Sequence, residues 1–420
     1  MIEKNNSSAA FSSFQNKEFI WYLLARFGLI IGAQMQYTIV GWQIKEITHD
    51  ALSLGLIGLA EAIPFICIAP FAGHLADIID RKKILLVSTI FMMCSSALLF
   101  YFTLDMSTAI KNFGTLPIYG VIFMTGIARG FIGPTYFALL PQIVSRDMIP
   151  NAATWSSTIF HICAVAGPAA GGLIIGLSNE SGVSHAYAAS LALISLSAVF
   201  ILFIKNHPLP KKESKESFIV NLSAGIRFVI GNQIVLSALS LDLFAVLFGG
   251  ASALLPIFAS DILKVGSQGF GFLRAAPAFG AVVMAGILAY YPPQKKAGTT
   301  LLWSVVMFGV CIIFFAISKN YYLSLFLLAL SGAFDNVSVV VRHIILQLTT
   351  PEEMRGRVAA VNGMFIGSSN EIGAFESGVA ARLLGLIPSV IFGGCMTIGI
   401  VGFIAKISPK LRKLDLKEME

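Results

Sequence analysis

The chain has 420 residues, of which 56% are hydrophobic and only 12% are charged. The charged share is about half of that in ordinary soluble domains, and the apolar residues suffice for about twelve membrane spans. This composition excludes a water-soluble globule, a disordered chain and a secreted disulfide scaffold. In a soluble protein, a formal net charge of +7 would suggest that the protein binds nucleic acid. In a membrane protein, however, basic residues collect in cytoplasmic loops.

Apolar runs of spanning length recur along the chain and predict twelve membrane-crossing helices. They lie near residues 19–44, 52–73, 84–104, 116–138, 153–178, 185–205, 233–258, 268–291, 298–318, 321–346, 358–381 and 386–407. Residues 1–18 are polar, and no short apolar segment with a cleavage site precedes the first run. We therefore expect no signal peptide and retain the first helix.

The longest polar interruption, residues 206–232, divides these spans six and six. Its second part, 218–229, has apolar residues at helical spacing and is expected to lie along the inner membrane surface. We predict an all-α integral membrane protein with twelve transmembrane helices in two pseudo-symmetric six-helix bundles. Its parts are an N-terminal tail (1–18), an N-terminal bundle (19–205), a cytoplasmic linker with an interfacial helix (206–232), a C-terminal bundle (233–407) and a C-terminal tail (408–420).

The distribution of basic residues predicts the orientation of the chain. With both termini in the cytoplasm, twenty Lys and Arg lie on the inner side and five Arg lie within the spans. The outer loops then hold only Lys45, Lys111, Lys264 and Lys319. This bias follows the positive-inside rule and accounts for the basic balance without a nucleic-acid partner.

The loop after the second span carries the first functional motif and reads GHLADIIDRKK over residues 73–83. It resembles the G-x-L-a-D-r-x-G-R-[RK] loop of the major facilitator superfamily, with matching residues at Gly73, Leu75, Asp77, Arg81 and Lys82. Asp80 stands where that pattern has Gly. We interpret the loop as a conformational latch, in which Gly73 allows close helix approach and Asp77 caps a helix or pairs with a cation. The alternative is an ordinary basic cytoplasmic loop.

Two further motifs lie within spans. The fifth span contains Gly167-Pro168-Ala169-Ala170-Gly171-Gly172, which is similar to the GPxxGG stretch of antiporters in the same superfamily. Small residues allow close packing and Pro168 lets the helix bend; ordinary Gly-rich packing is the alternative. In the fourth span, Arg129 and Gly133 resemble the superfamily's R-x-x-x-G element, whose arginine is associated with proton coupling. A structural salt bridge is the alternative for Arg129.

A narrower resemblance covers nearly the whole chain. The stretches that carry it are 25–27, 41–43, 332–335 through Arg342, Gln347, 355–358 and 368–378. They look like the bacterial exporter branch that includes the enterobactin exporter and drug-efflux proteins. The resemblance implies a proton-coupled secondary active exporter of a siderophore or an amphipathic drug, working by alternating access in the bacterial inner membrane, and by default a monomer.

Ionisable residues within the predicted spans are functional candidates because charge is costly in a bilayer. They are Glu61, Asp242, Asp335, Glu371 and Glu376, with Arg26, Arg129, Arg274, Arg342 and Arg382. The five acidic and five basic side chains could neutralise each other's charges by pairing. Asp335 and Arg342 are seven residues apart, about 10 Å along one helix face, so they share a cavity without pairing closely. Glu371 and Asp335 are the first candidates for a proton carrier, followed by Arg129, Glu61, Asp242 and Glu376.

Candidate substrate or cavity contacts come from aromatic and basic residues within the spans. They are Arg26, Tyr37, Trp42, Tyr136, Phe334 and Arg342. No metal site and no cofactor are expected. The sequence contains no Walker motif for ATP binding, so the proton gradient is the predicted energy source. The expected partners are a small-molecule substrate, protons and the lipid bilayer. A proton-coupled uptake symporter is the main alternative, and a membrane-embedded enzyme or a channel is a remote one.

Overall fold

The computed structural model describes residues 12–104, 108–178, 181–207, 218–291 and 296–415, without the side chains of His74, Asp77, Phe218, Ile219 and Asn221. These described residues form helices joined by short connections, and no β-strand occurs among them. A helix satisfies its backbone N–H and C=O groups within its own segment, which a chain that crosses a bilayer requires. The predicted all-α membrane fold is confirmed.

The longer helices follow one another along the chain as predicted, with a short additional helix between the two halves. They are α1 (Lys17–Thr48), α2 (Ala51–Ile78), α3 (Arg81–Thr103), α4 (Leu116–Ile143), α5 (Ile149–Leu177), α6 (Gly182–Phe203), α7 (Phe218–Gly231), α8 (Gln233–Gly249), α9 (Gly266–Tyr290), α10 (Ala297–Ile317), α11 (Tyr321–Thr349), α12 (Glu352–Leu384) and α13 (Leu386–Ile407).

Eleven helical segments within the described residues are long and apolar enough to cross a membrane. The remaining predicted span, 358–381, lies inside α12, which is 33 residues long but less apolar than the others. Its polarity comes from side chains such as Asn362, Asn370, Glu371 and Glu376. The least apolar of the predicted spans is therefore also the one that carries two of the predicted functional carboxyls.

The described residues divide into two compact units. The first takes its described residues from Met1–Val40 and Ile63–Glu213, and the second from Gly41–Ala62 and Ser214–Glu420. The helices α1 and α2 thus contribute to both units. Inside the second unit, the ring of Trp42 on α1 stacks on that of Phe270 on α9, with ring centroids 5.8 Å apart.

The first unit is organised around α1, which packs closely against α6. A Cβ atom at Gly28 would lie 2.8 Å from the carbonyl oxygen of Leu193, so only glycine fits this approach. Two α6 hydroxyls donate to α1 carbonyls: Ser190 to Gly32 at 2.9 Å and Ser197 to Ala25 at 2.6 Å. These bonds fix the register of the two helices where apolar packing alone would let them slide.

The core of the second unit forms where α8, α10, α11 and α13 meet. Its fully buried apolar residues include Leu241, Leu301, Val341 and Ile345. A second cluster of Val229, Leu239, Val358 and Val361 joins α7 and α8 to the first half of α12. The linker helix α7 is therefore part of this unit.

Candidate transport site

All five acidic residues predicted at membrane depth belong to the second unit. Three of them are buried, namely Glu61 (3% exposed), Asp242 (7%) and Glu371 (6%). Asp335 and Glu376 are half-buried. The first unit contributes only the basic residues Arg26 and Arg129 to the predicted set. The carboxyl groups predicted within the membrane are thus concentrated in one unit.

Asp242 and Arg342 form a buried ion pair that joins α8 to α11. The guanidinium Nη1 of Arg342 contacts the carboxylate Oδ1 of Asp242, and the side chains are 1% and 8% exposed, respectively. Each charge alone would be very costly at such a site, so the pairing is what allows either to be there. The sequence indicated that acids and bases within the spans could neutralise each other without naming the partners, and Asp242 with Arg342 is one such pair.

Asp335 lies on α11 seven residues before Arg342 and is half-buried. The carboxylate partner of Arg342 is Asp242, on another helix. This agrees with the prediction that the helical spacing keeps Asp335 too far along the axis for a close pair.

Glu61 and Glu371 lie where α2 crosses α12 inside the second unit. A Cβ atom at Gly58 would lie 2.6 Å from both the Cβ of Ala374 and the carbonyl oxygen of Glu371. Glu61 follows Gly58 by about one helical turn on the same side of α2. Because the two backbones touch, the crossing brings two buried carboxyl-bearing residues to neighbouring turns of packed helices.

The sequence predicts Lys45 in an outer loop, but the structure places it in a helix. It lies in the last turn of α1 and is only 7% exposed. Its Nζ lies 5.3 Å from the centre of the Trp42 ring and 3.5 Å from the Glu46 carboxylate. The ring and the carboxylate replace part of the hydration that burial removes from the ammonium group.

Arg26 and Tyr136 meet in the core of the first unit. The guanidinium carbon of Arg26 lies 5.3 Å from the centre of the Tyr136 ring, and the Tyr22 ring meets Tyr136 edge-on at 5.3 Å. The Tyr22 hydroxyl donates to the Tyr136 carbonyl at 3.1 Å. Tyr136 is 1% exposed, so in this structure it is a core residue and does not line an open cavity. Two other aromatic candidates, Tyr37 and Phe334, are half-buried.

Arg129 on α4 is exposed, and its guanidinium carbon lies 5.9 Å from the centre of the Phe65 ring on α2. An aromatic face offsets part of the cost of a cation in an apolar setting. Its neighbour in the motif, Gly133, has no described atom within 4 Å of where a Cβ would stand. The proton-coupling role of Arg129 stays a prediction.

The predicted latch loop contains the N-cap of α3. Asp80 is the N-cap residue of α3, and its carboxylate accepts the Lys82 backbone N–H at 2.9 Å. The departure from Gly at this position thus has a local role, because Asp is a preferred N-cap residue. Gly73 is exposed, and a Cβ there would meet no described atom within 4 Å, so the close approach predicted at Gly73 is absent in this structure. The side chain of Asp77 lies outside the described residues.

Two of the three basic residues of the loop, Arg81 and Lys82, bind backbone carbonyls in the last turns of helices within the first unit. Arg81 donates from Nε to the Ala76 carbonyl at 3.0 Å and from Nη1 to the Ala138 carbonyl at 2.9 Å. Lys82 donates from Nζ to the Leu202 carbonyl at 3.0 Å. Cations stabilise the exposed carbonyls at helix C-termini, and here they connect α2, α4 and α6.

The fifth-span motif packs α5 against α1. A Cβ at Gly167 would lie 2.6 Å from the Cβ of Gln34, and one at Gly171 would lie 3.4 Å from the Met35 carbonyl oxygen. Pro168 and Gly172 are also buried in α5. The close packing predicted from the small residues is confirmed, and the association with antiport stays a prediction.

The seventh predicted span contains a break that its apolar pattern does not reveal. The run 233–258 was predicted as one helix, but α8 ends at Gly249 and is followed by short 3₁₀, α and π segments over Ala251–Ile262. Ser377 on α12 donates to the carbonyl of Gly250 at 2.8 Å and so satisfies a backbone group that the break releases. The adjacent Gly249-Gly250 pair was the available signal, since glycine lowers helix stability.

These features define a multi-pass helical membrane protein, and comparison with known structures agrees. A POT family transporter solved in complex with a thioalcohol-conjugated peptide superposes with a TM-score of 0.73, covering 94% of this chain and 96% of that one. Their sequence identity is 12%, so the likeness concerns the fold.

The family model described as transmembrane secretion effector matches residues 8–420, and the chain belongs to this family of the major facilitator superfamily. Among its relatives, the multidrug efflux pump Tap of Mycolicibacterium fortuitum is 23% identical over 92% of this chain and 95% of that protein. The enterobactin exporter EntS of Escherichia coli O1:K1 is 26% identical over 86% of this chain and 83% of its own. The predicted superfamily and the prediction that the chain is not an enzyme are confirmed.

Proposed function

We propose that this protein is a proton-coupled secondary active exporter that moves a siderophore or an amphipathic drug out of the cell by alternating access. Membership of the secretion effector family supports transport, and the names of the two relatives support export of such compounds. The protein acts as a monomer in the bacterial inner membrane with both termini in the cytoplasm, as the charge bias predicts.

The observation that carries proton coupling is the concentration of all five membrane carboxyls in the second unit. A carboxyl group within the bilayer is retained against its cost when its change of charge is used. Protonation removes that charge, and a conformation that buries the group then becomes accessible. A second unit that binds and releases a proton in this way can drive the conformational cycle.

Asp242 is the carboxyl that we assign to structure rather than to proton transfer, because it neutralises the buried Arg342. Its loss would leave an uncompensated cation, which would impair the fold before it affected coupling. Glu371 and Asp335 remain the first candidates for the carrier. Glu371 has the stronger position, since it lies at the α2–α12 crossing beside the turn that carries Glu61.

In the first unit, side-chain hydrogen bonds hold several helices together during the same cycle. Arg81 and Lys82 connect the ends of α2, α4 and α6. This bracing favours motion of these helices together, as alternating access by rocking requires. Within this scheme Asp77 keeps its proposed role as the latch residue that holds one access state.

Transport by inside-out vesicles tests the proposal. Vesicles that contain the protein should accumulate enterobactin or ethidium when their lumen is acidic, and an uncoupler should release it. Vesicles with Glu371→Gln serve as the matched control and should not accumulate either compound. Loss of preloaded compound from vesicles with an acidic lumen would instead show that protons and substrate move in the same direction, as in an uptake symporter.

A further inference from the structure

The linker helix α7 presents two different faces. One face packs closely against α12: a Cβ at Gly225 would lie 2.9 Å from the carbonyl oxygen of Arg357. Val229 on this face is 2% exposed and packs with Val358 and Val361. The helix is thus held firmly by the second unit and has no freedom to roll its other face inward.

The opposite face is apolar and exposed. Ile226 and Ile230, one turn apart, are 41% and 64% exposed, and Val220 is 54% exposed. Together with Ser223, Arg227 and Gly231, the two isoleucines line a shallow recess. Adjacent exposed isoleucines beside a cation are costly in water but suit the boundary between lipid headgroups and acyl chains.

The position of α7 places this face at the membrane surface. Asn232 directly follows α7 and caps α8, its Oδ1 accepting the N–H groups of Ile234 at 3.1 Å and Val235 at 3.2 Å. The side chain of Gln233 donates to the Ile407 carbonyl at 3.0 Å, at the end of α13. Because α8 and α13 both belong to membrane-spanning segments, α7 is fixed at the level where two spans end.

Basic residues lie on α7 and where α13 ends. Arg227 lies beside the two isoleucines, Lys406 lies in the last turn of α13, and Lys410 and Arg412 follow in the next short helix. Each Lys or Arg near an anionic membrane surface contributes about 1 kcal/mol of attraction. A water-facing protein partner would not need the exposed isoleucines to lie at the level where the spans end.

We propose that the exposed face of α7 binds anionic phospholipid, with Ile226 and Ile230 in the headgroup–acyl boundary and Arg227 on the headgroup. The lipid chemistry follows from the apolar pair for the acyl chains and from the guanidinium, which can bind two phosphate oxygens at once. The face is then a lipid site of the folded transporter and does not depend on the direction or coupling of transport.

Fluorescence quenching in vesicles tests the site with the full chain. In a variant whose five cysteines are replaced by serine, single cysteines at Ile226, Ile230, Phe403 or Glu353 carry a bimane label. Phe403 is 65% exposed within a membrane-spanning helix and serves as the lipid-facing reference. Glu353, exposed in the first turn of α12, serves as the water-facing reference.

Labels at 226 and 230 should be quenched by brominated lipid as at 403 and protected from iodide, unlike the label at 353. Brominated phosphatidylglycerol should be preferred over brominated phosphatidylcholine. Arg227→Gln should reduce that preference about fivefold, which corresponds to about 1 kcal/mol. Arg227→Lys and, at an exposed site in the connection between α10 and α11, Lys319→Gln should leave the preference unchanged.

Three results would overturn the proposal. Iodide quenching at 226 and 230 equal to that at 353 would show that the face lies in water. Protection from both quenchers would show that protein covers it. Equal quenching by the two brominated lipids, with Arg227 intact, would show that the site has no preference for an anionic headgroup. None of these results depends on whether the protein exports a substrate.

Discussion

Replacing Asp242 with Asn should destabilise the protein strongly, because it leaves Arg342 as an unpaired cation in the protein interior. The Arg342 side chain is 1% exposed and that of Asp242 is 8% exposed, so water screens neither charge. Removing one partner of such a buried pair costs about 3–5 kcal/mol. Arg342→Met should cost less than Asp242→Asn, because the carboxyl group left behind can take up a proton and become neutral.

The double variant Asp242→Asn/Arg342→Met should recover much of the lost stability. It removes both charges of the pair and strands neither, so the double-mutant cycle should give a coupling energy of about 2–3 kcal/mol. Unfolding free energies measured by titration with sodium dodecyl sulfate in dodecyl maltoside micelles would supply the cycle. The exposed Glu353 provides a charge control, and Glu353→Gln should stay within about 0.5 kcal/mol of the parent. Additive effects of the two changes, or single variants as stable as the parent, would refute the pair as a structural element.

Three other regions give predictions of their own. Glu371→Gln and Asp335→Asn each mimic a protonated carboxyl, so each should abolish pH-driven flux in proteoliposomes while preserving substrate binding measured by fluorescence titration. Gly167→Leu should lower the unfolding free energy by about 1–3 kcal/mol through overpacking against α1, whereas Gly133→Leu should stay within about 0.5 kcal/mol because its surroundings are open. Asp77→Asn should slow transport while leaving the melting curve in detergent unchanged, since the proposed latch charge acts only in one access state.

Each of these expectations has a contradicting result. Full pH-driven flux in both carboxyl variants would move the proton-carrier assignment to Glu61 or Glu376. Equal stability of the Gly167 and Gly133 variants would show that the fifth-span motif is not a packing contact. Normal transport with Asp77→Asn would remove the latch role from this residue.

The spans were predictable because burial in lipid imposes a length and an apolar composition on each helix. Segments such as α10 (Ala297–Ile317) and α13 (Leu386–Ile407) lie within a residue or two of the predicted runs 298–318 and 386–407. By contrast, α12 begins at Glu352, six residues before the predicted run, because its first turns carry charges that a hydropathy pattern excludes. Hydropathy locates the part of a helix in the membrane and misses the part that continues beyond it.

The backbone break after Gly249 was not predictable from hydropathy, because the run 233–258 is apolar on both sides of the break. What stabilises it is a hydroxyl from Ser377, more than 100 residues away in sequence. The Asp242–Arg342 pair was missed for the same reason: both residues were recognised as membrane-embedded charges, but their pairing depends on how α8 packs beside α11. Lys45 had a local signal, since Trp42 precedes it by three residues and lies on the same helix face.

Proton movement during substrate transport tests the central claim most directly. Proteoliposomes that contain the protein and the trapped pH indicator pyranine would receive an outward gradient of enterobactin with no initial pH difference. Coupled exchange predicts that the lumen acidifies as the compound leaves, and that Glu371→Gln abolishes the acidification. Substrate efflux at an unchanged luminal pH, or with alkalinisation of the lumen, would contradict proton-coupled export.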